Sequence, residues 1–260
     1  MSLQLRDARL RFRAGTPDER VALAGVDLEV GDGEFVVLIG SNGAGKSTLL
    51  NVVSGQLALD CGSVAIDGRD LTRVAEHRRA ALIARVAQDP LRGTVPSLTI
   101  EENLALADLR SHGRGLAAAL NGARRERFRA LLAGFGLGLE TRLGTRAGML
   151  SGGQRQVLAL AMAVLNPPRV LLLDEHTAAL DPRTAELVMR ATLDAVQTAR
   201  LTTLMITHNM QHAIDFGDRL LMLDAGRIRL DVAGDAKREL TVDALVKRFR
   251  LADDKLLLAA

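Results

Sequence analysis

The chain has 260 residues, of which 48% are hydrophobic and 25% charged, with a formal net charge of +3. These values exclude a chain that is disordered throughout, and so small a charge excess gives no argument for nucleic acid as a partner. The single cysteine, Cys61, excludes an internal disulfide framework and is expected to be a structural thiol. The longest apolar run, residues 157–165, falls short of the roughly 20 residues that cross a bilayer, so no spanning segment is expected, and no secretory signal is visible.

The first third of the chain shows the alternation that is typical of strands. The pattern within residues 3–12 predicts a hairpin, with an exposed loop at 15–20 and a further strand at 26–30. Residues 35–39 form a continuous apolar run that is rich in β-branched side chains and ends at a glycine, which predicts a buried parallel strand. A helix is predicted to begin near Lys46.

The middle of the chain, from about residue 90 to residue 150, loses the strand pattern. Ala, Leu and Arg recur there at helical spacing, and Thr99 followed by Glu102 forms a capping box that predicts a helix start. Strands are predicted again in the last third at 170–173, 204–206, 220–223 and 228–230. A short helix is predicted at 241–249. The alternation of strands and helices predicts an α/β fold with a mostly parallel sheet and an inserted helical part.

One segment fits a phosphate-binding loop without exception, and it follows the predicted buried strand and opens the predicted helix. Its residues are Gly40, Ser41, Asn42, Gly43, Ala44, Gly45, Lys46 and Ser47, with Thr48 next in the helix. The glycines let backbone N–H groups turn inward around phosphate oxygens, and the helix N-terminus adds positive partial charge. Lys46 is expected to reach the β- and γ-phosphates and Ser47 to ligate Mg²⁺. A glycine-rich turn that binds nothing is the alternative.

Two adjacent carboxylates end the strand predicted at 170–173. Adjacent strand residues point to opposite faces, so Asp174 and Glu175 are expected to have different tasks. Asp174 is placed to hold Mg²⁺, directly or through water, and Glu175 to polarise an attacking water molecule. A strand that ends in solvated acids is the alternative.

A second helix start carries the features of an anion site. Ser151 and Gln154 form a capping box around Gly152 and Gly153, whose backbone N–H groups have no side chains over them. Either the chain binds two anions, or this second site serves a nucleotide that another subunit holds.

The order of these motifs resembles that of the nucleotide-binding subunit of ATP-binding cassette (ABC) transporters, over about residues 3–232. The features that carry the resemblance are the phosphate loop, Gln88, the LSGGQ sequence at 150–154, the LLLDE sequence that ends at Glu175, Asp181 and His208. The resemblance implies a P-loop NTPase (RecA-like) core with an N-terminal antiparallel β subdomain and an inserted α-helical subdomain.

The resemblance also implies a division of the chain and a set of site residues. An ATPase domain at 1–235 is expected, with its core at 1–88 and 157–235, a helical subdomain at about 89–156, and a short helical tail at 236–260. The cofactors are expected to be ATP and Mg²⁺. The expected catalytic residues are Lys46, Gln88, Glu175 and His208, and the expected Mg²⁺ ligands are Ser47, Gln88 and Asp174.

The resemblance also implies roles for individual residues. Gln88 would contact Mg²⁺ or the attacking water, unless it is only a polar strand end. His208 would bond the γ-phosphate and order the water, although a lone histidine is usually an ordinary surface or core residue. Asp181 would lie at a dimer interface and also cap the helix predicted from Pro182. Phe12 stands where the family has an aromatic residue that stacks on adenine, and a core phenylalanine is the alternative.

The family sandwiches two nucleotides between two subunits, so the resemblance answers the question of the second anion site. Ser151, Gly152, Gly153 and Gln154 would contact the γ-phosphate that the partner's loop binds, which implies a homodimer with two-fold contacts. His176 departs from the proline that is common after Glu175, and Ala178 departs from serine. His176 either tunes the loop, adds pH sensitivity or has no function of its own.

The resemblance implies a transport function with partners in the membrane. Separate permease subunits would dock on residues 88–103, with the ATPase peripheral on the cytoplasmic face of the inner membrane, and an external solute-binding protein is a further expected partner. Residues 88–107 and 174–182 resemble a bacterial subgroup described as tryptophan/tyrosine transport ATPases, which favours import of an amino acid or similar small organic solute. The alternatives are an exporter, a soluble cassette ATPase of an assembly, DNA or ribosome system, and a non-hydrolysing regulatory cassette.

Overall fold

The computed structural model describes residues 2–110 and 121–247. Its strands are, in chain order, β1 (Leu3–Phe12), β2 (Arg20–Val30), β3 (Phe35–Gly40), β4 (Cys61–Ile66), β5 (Arg69–Asp70), β6 (Ile83–Val86), β7 (Val170–Asp174), β8 (Thr202–Ile206), β9 (Arg219–Asp224) and β10 (Arg227–Ala233). The predicted strands at 35–39, 170–173, 204–206, 220–223 and 228–230 are confirmed within these bounds.

The α-helices lie between these strands and after the last of them. They are α1 (Lys46–Ser54), α2 (Glu76–Arg79), α3 (Ile100–Asp108), α4 (Gly122–Ala133), α5 (Gly152–Val164), α6 (Pro182–Ala199), α7 (Met210–Asp215) and α8 (Gly234–Arg238). Short 3-10 helices occupy Leu139–Thr141 and Ala147–Met149. Residues 242–247 are helical as predicted, Thr241 lies just before the helix, and residues 248 and 249 of the predicted helix lie outside the described residues.

The chain forms two compact units. The first takes its described residues from Met1–Arg79 and Thr202–Ala260, and the second is Ala80–Leu201. The division at 1–88, 89–156 and 157–235, with a tail at 236–260, stays a prediction.

An antiparallel sheet in the first unit has the strand order β2-β1-β4-β5. The hairpin predicted within residues 3–12 is wrong, because these residues form the single strand β1, which pairs with β2. Asp7 has φ 43° and lies where the register with β2 shifts, so the side-chain alternation changes phase inside one continuous strand. Cys61 begins β4 and is exposed, and its expected character as a structural thiol stays a prediction.

A second set of strands in the first unit has the order β10-β9-β3-β8. β3 pairs in parallel with both β8 and β9, and Leu38 lies opposite Ile206. All five residues of β8 are buried, as expected of a parallel strand that is covered on both faces. The carboxyl ends of β3 and β8 therefore lie side by side at one edge.

The second unit combines one parallel strand pair with helices. β6 pairs in parallel with β7, and Val86 lies opposite Leu173. The capping box of Thr99 and Glu102 starts α3 as predicted. In the part of residues 90–149 that the structure describes, the regular elements are helices, which confirms the predicted inserted helical part and the α/β class.

One apolar cluster holds these helices together. Phe128 of α4 is 0% exposed at its centre. The cluster also contains residues from α3, α5 and α6, including Leu104, Leu158 and Val188. Among the helices of the described residues, none has both the length and the apolar character needed to cross a membrane.

We expect Phe128→Ala to lower the free energy of unfolding by about 3–5 kcal/mol, because it removes a large side chain from a close-packed core and leaves a cavity. Thermal or urea unfolding of the full chain measures this change. Phe12→Ala is the matched control: Phe12 is 39% exposed, so its truncation should change stability by less than about 1 kcal/mol. Equal losses from both variants would contradict the packing described for the second unit.

Candidate functional site

The phosphate loop connects β3 to α1 and depends on glycine for its shape. Gly40, Gly43 and Gly45 have φ values of 158°, 83° and 106°. The values at Gly43 and Gly45 lie well inside the left-handed region that side-chain-bearing residues rarely adopt. A Cβ atom at Gly45 would overlap the backbone oxygen of Ala22, and one at Gly40 that of Leu223. The loop is thus closely packed against β2 and β9.

Lys46 is enclosed by this loop. It is 8% exposed, and its Nζ donates hydrogen bonds to the backbone oxygens of Gly40 at 2.6 Å and Ser41 at 2.9 Å. A positive charge at the centre of a loop of turned N–H groups is suited to phosphate. Ser47 and Thr48 follow in the first turn of α1, with Ser47 exposed.

Phe12 and the loop are linked by one arginine. Phe12 ends β1 opposite Arg20, and Nη2 of Arg20 donates to the backbone oxygen of Gly43 at 3.1 Å. Phe12 is exposed rather than buried, so its alternative as a core phenylalanine is wrong. Stacking on adenine stays a prediction.

His208 lies at the same strand edge as the loop. Since Leu38 is opposite Ile206 in the parallel pair of β3 and β8, Gly40 and His208 both lie two residues beyond that pair. His208 is exposed, and Asn209 caps α7 directly after it. An exposed position at the carboxyl end of a strand excludes the alternative of a core histidine.

The second unit also has polar residues at the carboxyl ends of a parallel strand pair, two acids and a glutamine. Val86 is opposite Leu173, so Gln88 and Glu175 both lie two residues beyond a parallel pair. Gln88 is exposed and follows β6 rather than ending it, and Asp174 is the last residue of β7. Gln88, Asp174 and Glu175 thus share one carboxyl edge within this unit, as do the loop and His208 in the first.

Asp174 already faces a positive charge. Its Oδ2 accepts a hydrogen bond from Nη2 of Arg85 at 2.5 Å, and both side chains are largely shielded from solvent. Sequence reasoning missed Arg85, whose only signal is a charged residue inside the apolar strand β6. The ion pair places the Asp174 carboxylate against a positive charge at this strand end.

Glu175 has a backbone conformation that is unusual for its residue type. Its φ is 45°, in the left-handed region, and its backbone oxygen accepts from the N–H of Ala178 at 2.9 Å. Non-glycine residues in such conformations cost roughly 1–3 kcal/mol each and gather at functional sites. The chain thus turns sharply after Asp174, and the two carboxylates are presented differently.

The second helix start has the predicted capping box. Oγ of Ser151 accepts from the N–H of Gln154 at 3.3 Å, and Oε1 of Gln154 accepts from the N–H of Ser151 at 3.2 Å. A Cβ atom at Gly153 would overlap the side chain of Thr184, so this glycine lets α5 approach the start of α6. Ser151 and Gly152 remain exposed at the N-terminus of α5.

Asp181 caps α6, which confirms the capping part of its prediction. Its Oδ1 accepts from the N–H of Thr184 at 3.1 Å, and the hydrogen bonds from Thr184 hold the pKa of the Asp181 carboxyl below its usual value. Asp181 is exposed, and its place at a dimer interface stays a prediction. Since Thr184 also packs on Gly153, the α5 and α6 starts are positioned together.

A buried glutamine also contacts the segment before Gln88. Gln156 of α5 is fully buried, and its Nε2 donates to the backbone oxygen of Ala87 at 3.1 Å. The sequence did not reveal this contact, because the spacing of residues in an apolar helix does not indicate which distant group a polar side chain will bond. The contact links the helix that starts at Ser151 to the Gln88 segment.

The donor set at the strand edge of the second unit fits Mg²⁺ better than a metal held by protein alone. Across residues 2–110 and 121–247, no group of three or more His, Cys, Asp or Glu side chains could hold a metal ion. Mg²⁺ in proteins is commonly held by one or two carboxylates, waters and substrate phosphates. Asp174 offers such a carboxylate at the end of β7, and its assignment as an Mg²⁺ ligand, like those of Ser47 and Gln88, stays a prediction.

Comparisons with known proteins show the family of the chain. The family model described as ABC transporter matches residues 23–178. The chain is 42% identical over 250 residues to a tyrosine transport ATP-binding protein of Clostridioides difficile, covering 96% of this chain and 99% of that protein. It is 39% identical over 232 residues to the lipoprotein-releasing system ATP-binding protein LolD of Ruegeria pomeroyi, covering 87% and 96%.

A solved structure extends the likeness to the fold. The ATP-binding cassette MJ0796, in a dimeric post-hydrolysis state bound to ADP and Pi, superposes with a TM-score of 0.77 at 29% identity, covering 89% of this chain and 98% of that chain. The likeness confirms the predicted fold class.

We expect Gly45→Ala to abolish nucleotide binding, since its Cβ atom would overlap the backbone oxygen of Ala22 and its φ of 106° would be strained. Titration with a fluorescent ATP analogue measures the affinity. Gly15→Ala is the control, because Gly15 has a φ of 76° but open space around it. Gly15→Ala should cost about 1 kcal/mol of stability and leave the affinity unchanged; wild-type affinity in Gly45→Ala would contradict the loop geometry.

Proposed function

Because this chain belongs to the ABC transporter family and is an ATP-hydrolysing subunit of that kind, we propose that it dimerises around two ATP molecules and drives a separate membrane permease. The observation that carries the proposal is the chemistry at two strand edges. Lys46, the glycine loop and His208 gather at one, and Gln88, Asp174 and Glu175 at the other.

The first unit's residues bind the phosphates. In the proposed mechanism the loop N–H groups surround the β-phosphate, and Lys46 exchanges its bonds to Gly40 and Ser41 for bonds to the β- and γ-phosphates. The guanidinium of Arg20, bonded to Gly43, holds the loop next to Phe12. Phe12 then stacks on the adenine, which its exposure supports.

Hydrolysis needs a polarised water and a neutralised phosphate. Glu175 accepts a proton from the water as the water oxygen attacks the γ-phosphorus and the bond to the β–γ bridging oxygen breaks. His208 bonds the γ-phosphate and orients the water, and Gln88 contacts the same water. Ser47, Gln88 and Asp174 would hold Mg²⁺, which would supply positive charge to the phosphates.

A second copy completes each site in this proposal. Ser151, Gly152, Gly153 and Gln154 present the exposed N-terminus of α5, a 13-residue helix, to the γ-phosphate that the partner's loop binds. Asp181 is connected to this surface by Thr184, which donates a hydrogen bond to Asp181 and packs on Gly153. In the proposed dimer Asp181 faces the partner. The dimeric state of the similar cassette MJ0796, bound to ADP and Pi, supports such a two-fold assembly.

The permease is proposed to dock on the second unit. Leu91 and Val95 are large apolar side chains that are exposed in the segment 88–103. Exposed apolar side chains grouped in a short segment favour a protein contact. The subunit is then peripheral on the cytoplasmic face of the inner membrane, because its partner spans the bilayer.

Import of an amino acid or similar small organic solute is the cargo we propose. The likeness to a tyrosine transport ATP-binding protein over nearly the full chain supports it. The likeness to LolD, a lipoprotein-releasing ATPase by name, shows that similar cassettes serve different cargo. The cargo is thus chosen by the permease and, in this proposal, by an external solute-binding protein.

Affinity purification of the chain from native membranes, followed by mass spectrometry, tests the partners. We expect a multi-span permease to copurify, together with a solute-binding protein if the system imports. The matched control is the same purification, from detergent-solubilised membranes, with the Leu91→Glu variant as bait. A charge on the docking segment should prevent the permease from copurifying. Recovery with ribosomes, DNA or an assembly complex instead would contradict transport.

We expect Lys46→Ala to lower ATP affinity by at least about 100-fold, since it removes the charge that the loop encloses. Isothermal titration with ATP and Mg²⁺ measures the affinity. Lys247→Ala, at an exposed position in the helix 242–247, is the control and should bind as wild type. Micromolar affinity retained in Lys46→Ala would refute the phosphate-loop assignment.

Glu175→Gln should lower kcat by roughly 100-fold or more while ATP still binds, because the amide cannot accept the proton. The variant should also accumulate as an ATP-bound dimer, which size-exclusion chromatography with light scattering detects. Glu186→Gln, an exposed carboxylate on α6, is the control for the loss of one negative charge. Turnover near wild type in Glu175→Gln would show that Glu175 is not the base.

A further inference from the structure

His176 is a buried titratable residue that the proposed mechanism does not use. It directly follows Glu175, yet it is only 2% exposed. Its Nε2 lies 3.0 Å from Oγ1 of Thr192, which is itself fully buried in α6. A buried, hydrogen-bonded side chain directly after Glu175 is well placed to fix the backbone at that position.

The protons of this contact can be assigned from the second bond that Thr192 makes. Its hydroxyl donates to the backbone oxygen of Val188 at 2.8 Å. A hydroxyl carries one proton, so Oγ1 accepts when it meets the histidine. Nε2 of His176 is therefore the donor in this contact.

The contact anchors a strained backbone from its downstream side. Glu175 has φ 45°, and Leu173 before it is fully buried in β7. Such a conformation persists where the structure on both sides over-determines it. β7 holds the upstream side, and the bond from His176 to Thr192 holds the downstream side.

The same contact reaches the helix that Asp181 caps. Thr192 lies in α6 (Pro182–Ala199), whose N-cap is Asp181. A bond between residues 176 and 192 thus closes the loop 177–181 onto the helix that follows it. The turn at Glu175 and the position of Asp181 are tied to one buried side chain.

We propose that His176 is a positioning residue for ATP hydrolysis, whose bond to Thr192 holds the carboxylate of Glu175 in line with the attacking water. This inference rests on the proposed function, in which Glu175 is the base. In this proposal His176 acts through the backbone of Glu175, not on the water or the nucleotide itself. A buried histidine that only fills space is the competing explanation, and the two differ in what they do to kcat.

The experiment compares four variants of the full chain in steady-state ATPase assays and thermal unfolding. His176→Leu keeps the volume and removes the donor, and Thr192→Val removes the acceptor. We expect each to lower kcat about tenfold, or about 1.4 kcal/mol in activation free energy, with KM for ATP within about twofold of wild type. His176→Gln and Thr192→Ser keep an N–H donor and a hydroxyl, so they should retain kcat within about threefold.

A double variant and a matched control separate positioning from packing. His176→Leu with Thr192→Val should lose no more kcat than either single variant, because both remove one bond. Thr202→Val in β8 removes an equally buried hydroxyl, bonded to the N–H of Gly33 at 2.9 Å, and should lower the melting temperature but leave kcat unchanged.

The outcomes distinguish this inference from the proposed function. If Glu175→Gln abolishes turnover while His176→Leu and Thr192→Val keep wild-type kcat, the positioning inference is overturned and the base assignment stands. Additive losses in the double variant, or a loss in His176→Gln as large as in His176→Leu, would also overturn it. If Glu175→Gln keeps wild-type turnover, both proposals fall.

Discussion

The register of two parallel strand pairs is the constraint on which the candidate chemistry depends. Leu38 opposite Ile206 places the phosphate loop beside His208, and Val86 opposite Leu173 places Gln88 beside Asp174 and Glu175. In parallel α/β sheets the carboxyl ends of the strands are where ligands bind. A slip of one residue in either pair would turn every side chain to the other face and disperse the site.

Irregular backbone and close packing occur at these edges and at the start of α5. The loop needs glycine at position 45, Glu175 is left-handed, and Gly153 allows α5 to touch Thr184. Buried partners hold this irregular backbone in place: Lys46 bonds the loop's own carbonyls, and His176 bonds Thr192. The site is thus built from conformations that local propensity disfavours and that tertiary contacts stabilise.

Sequence reasoning predicts what local spacing encodes. The phosphate loop, both capping boxes and the buried strands were predictable, because each depends on residues within about ten positions of one another. The single strand β1 was not, since a bulge at Asp7 shifts the alternation. The ion pair of Arg85 with Asp174 could not be predicted from the sequence either, because 89 positions separate the two residues and only the β6–β7 register brings them together.

The central claim is that two copies close around ATP with the α5 start of one facing the loop of the other. A direct test places cysteines at Asn42 and at Met149, which is 76% exposed near that helix start, in a chain that also carries Cys61→Ser and Glu175→Gln. With ATP and Mg²⁺, a short bismaleimide should link two chains covalently, and without nucleotide it should not. Equal yields with and without ATP, or no linked dimer under either condition, would contradict the account.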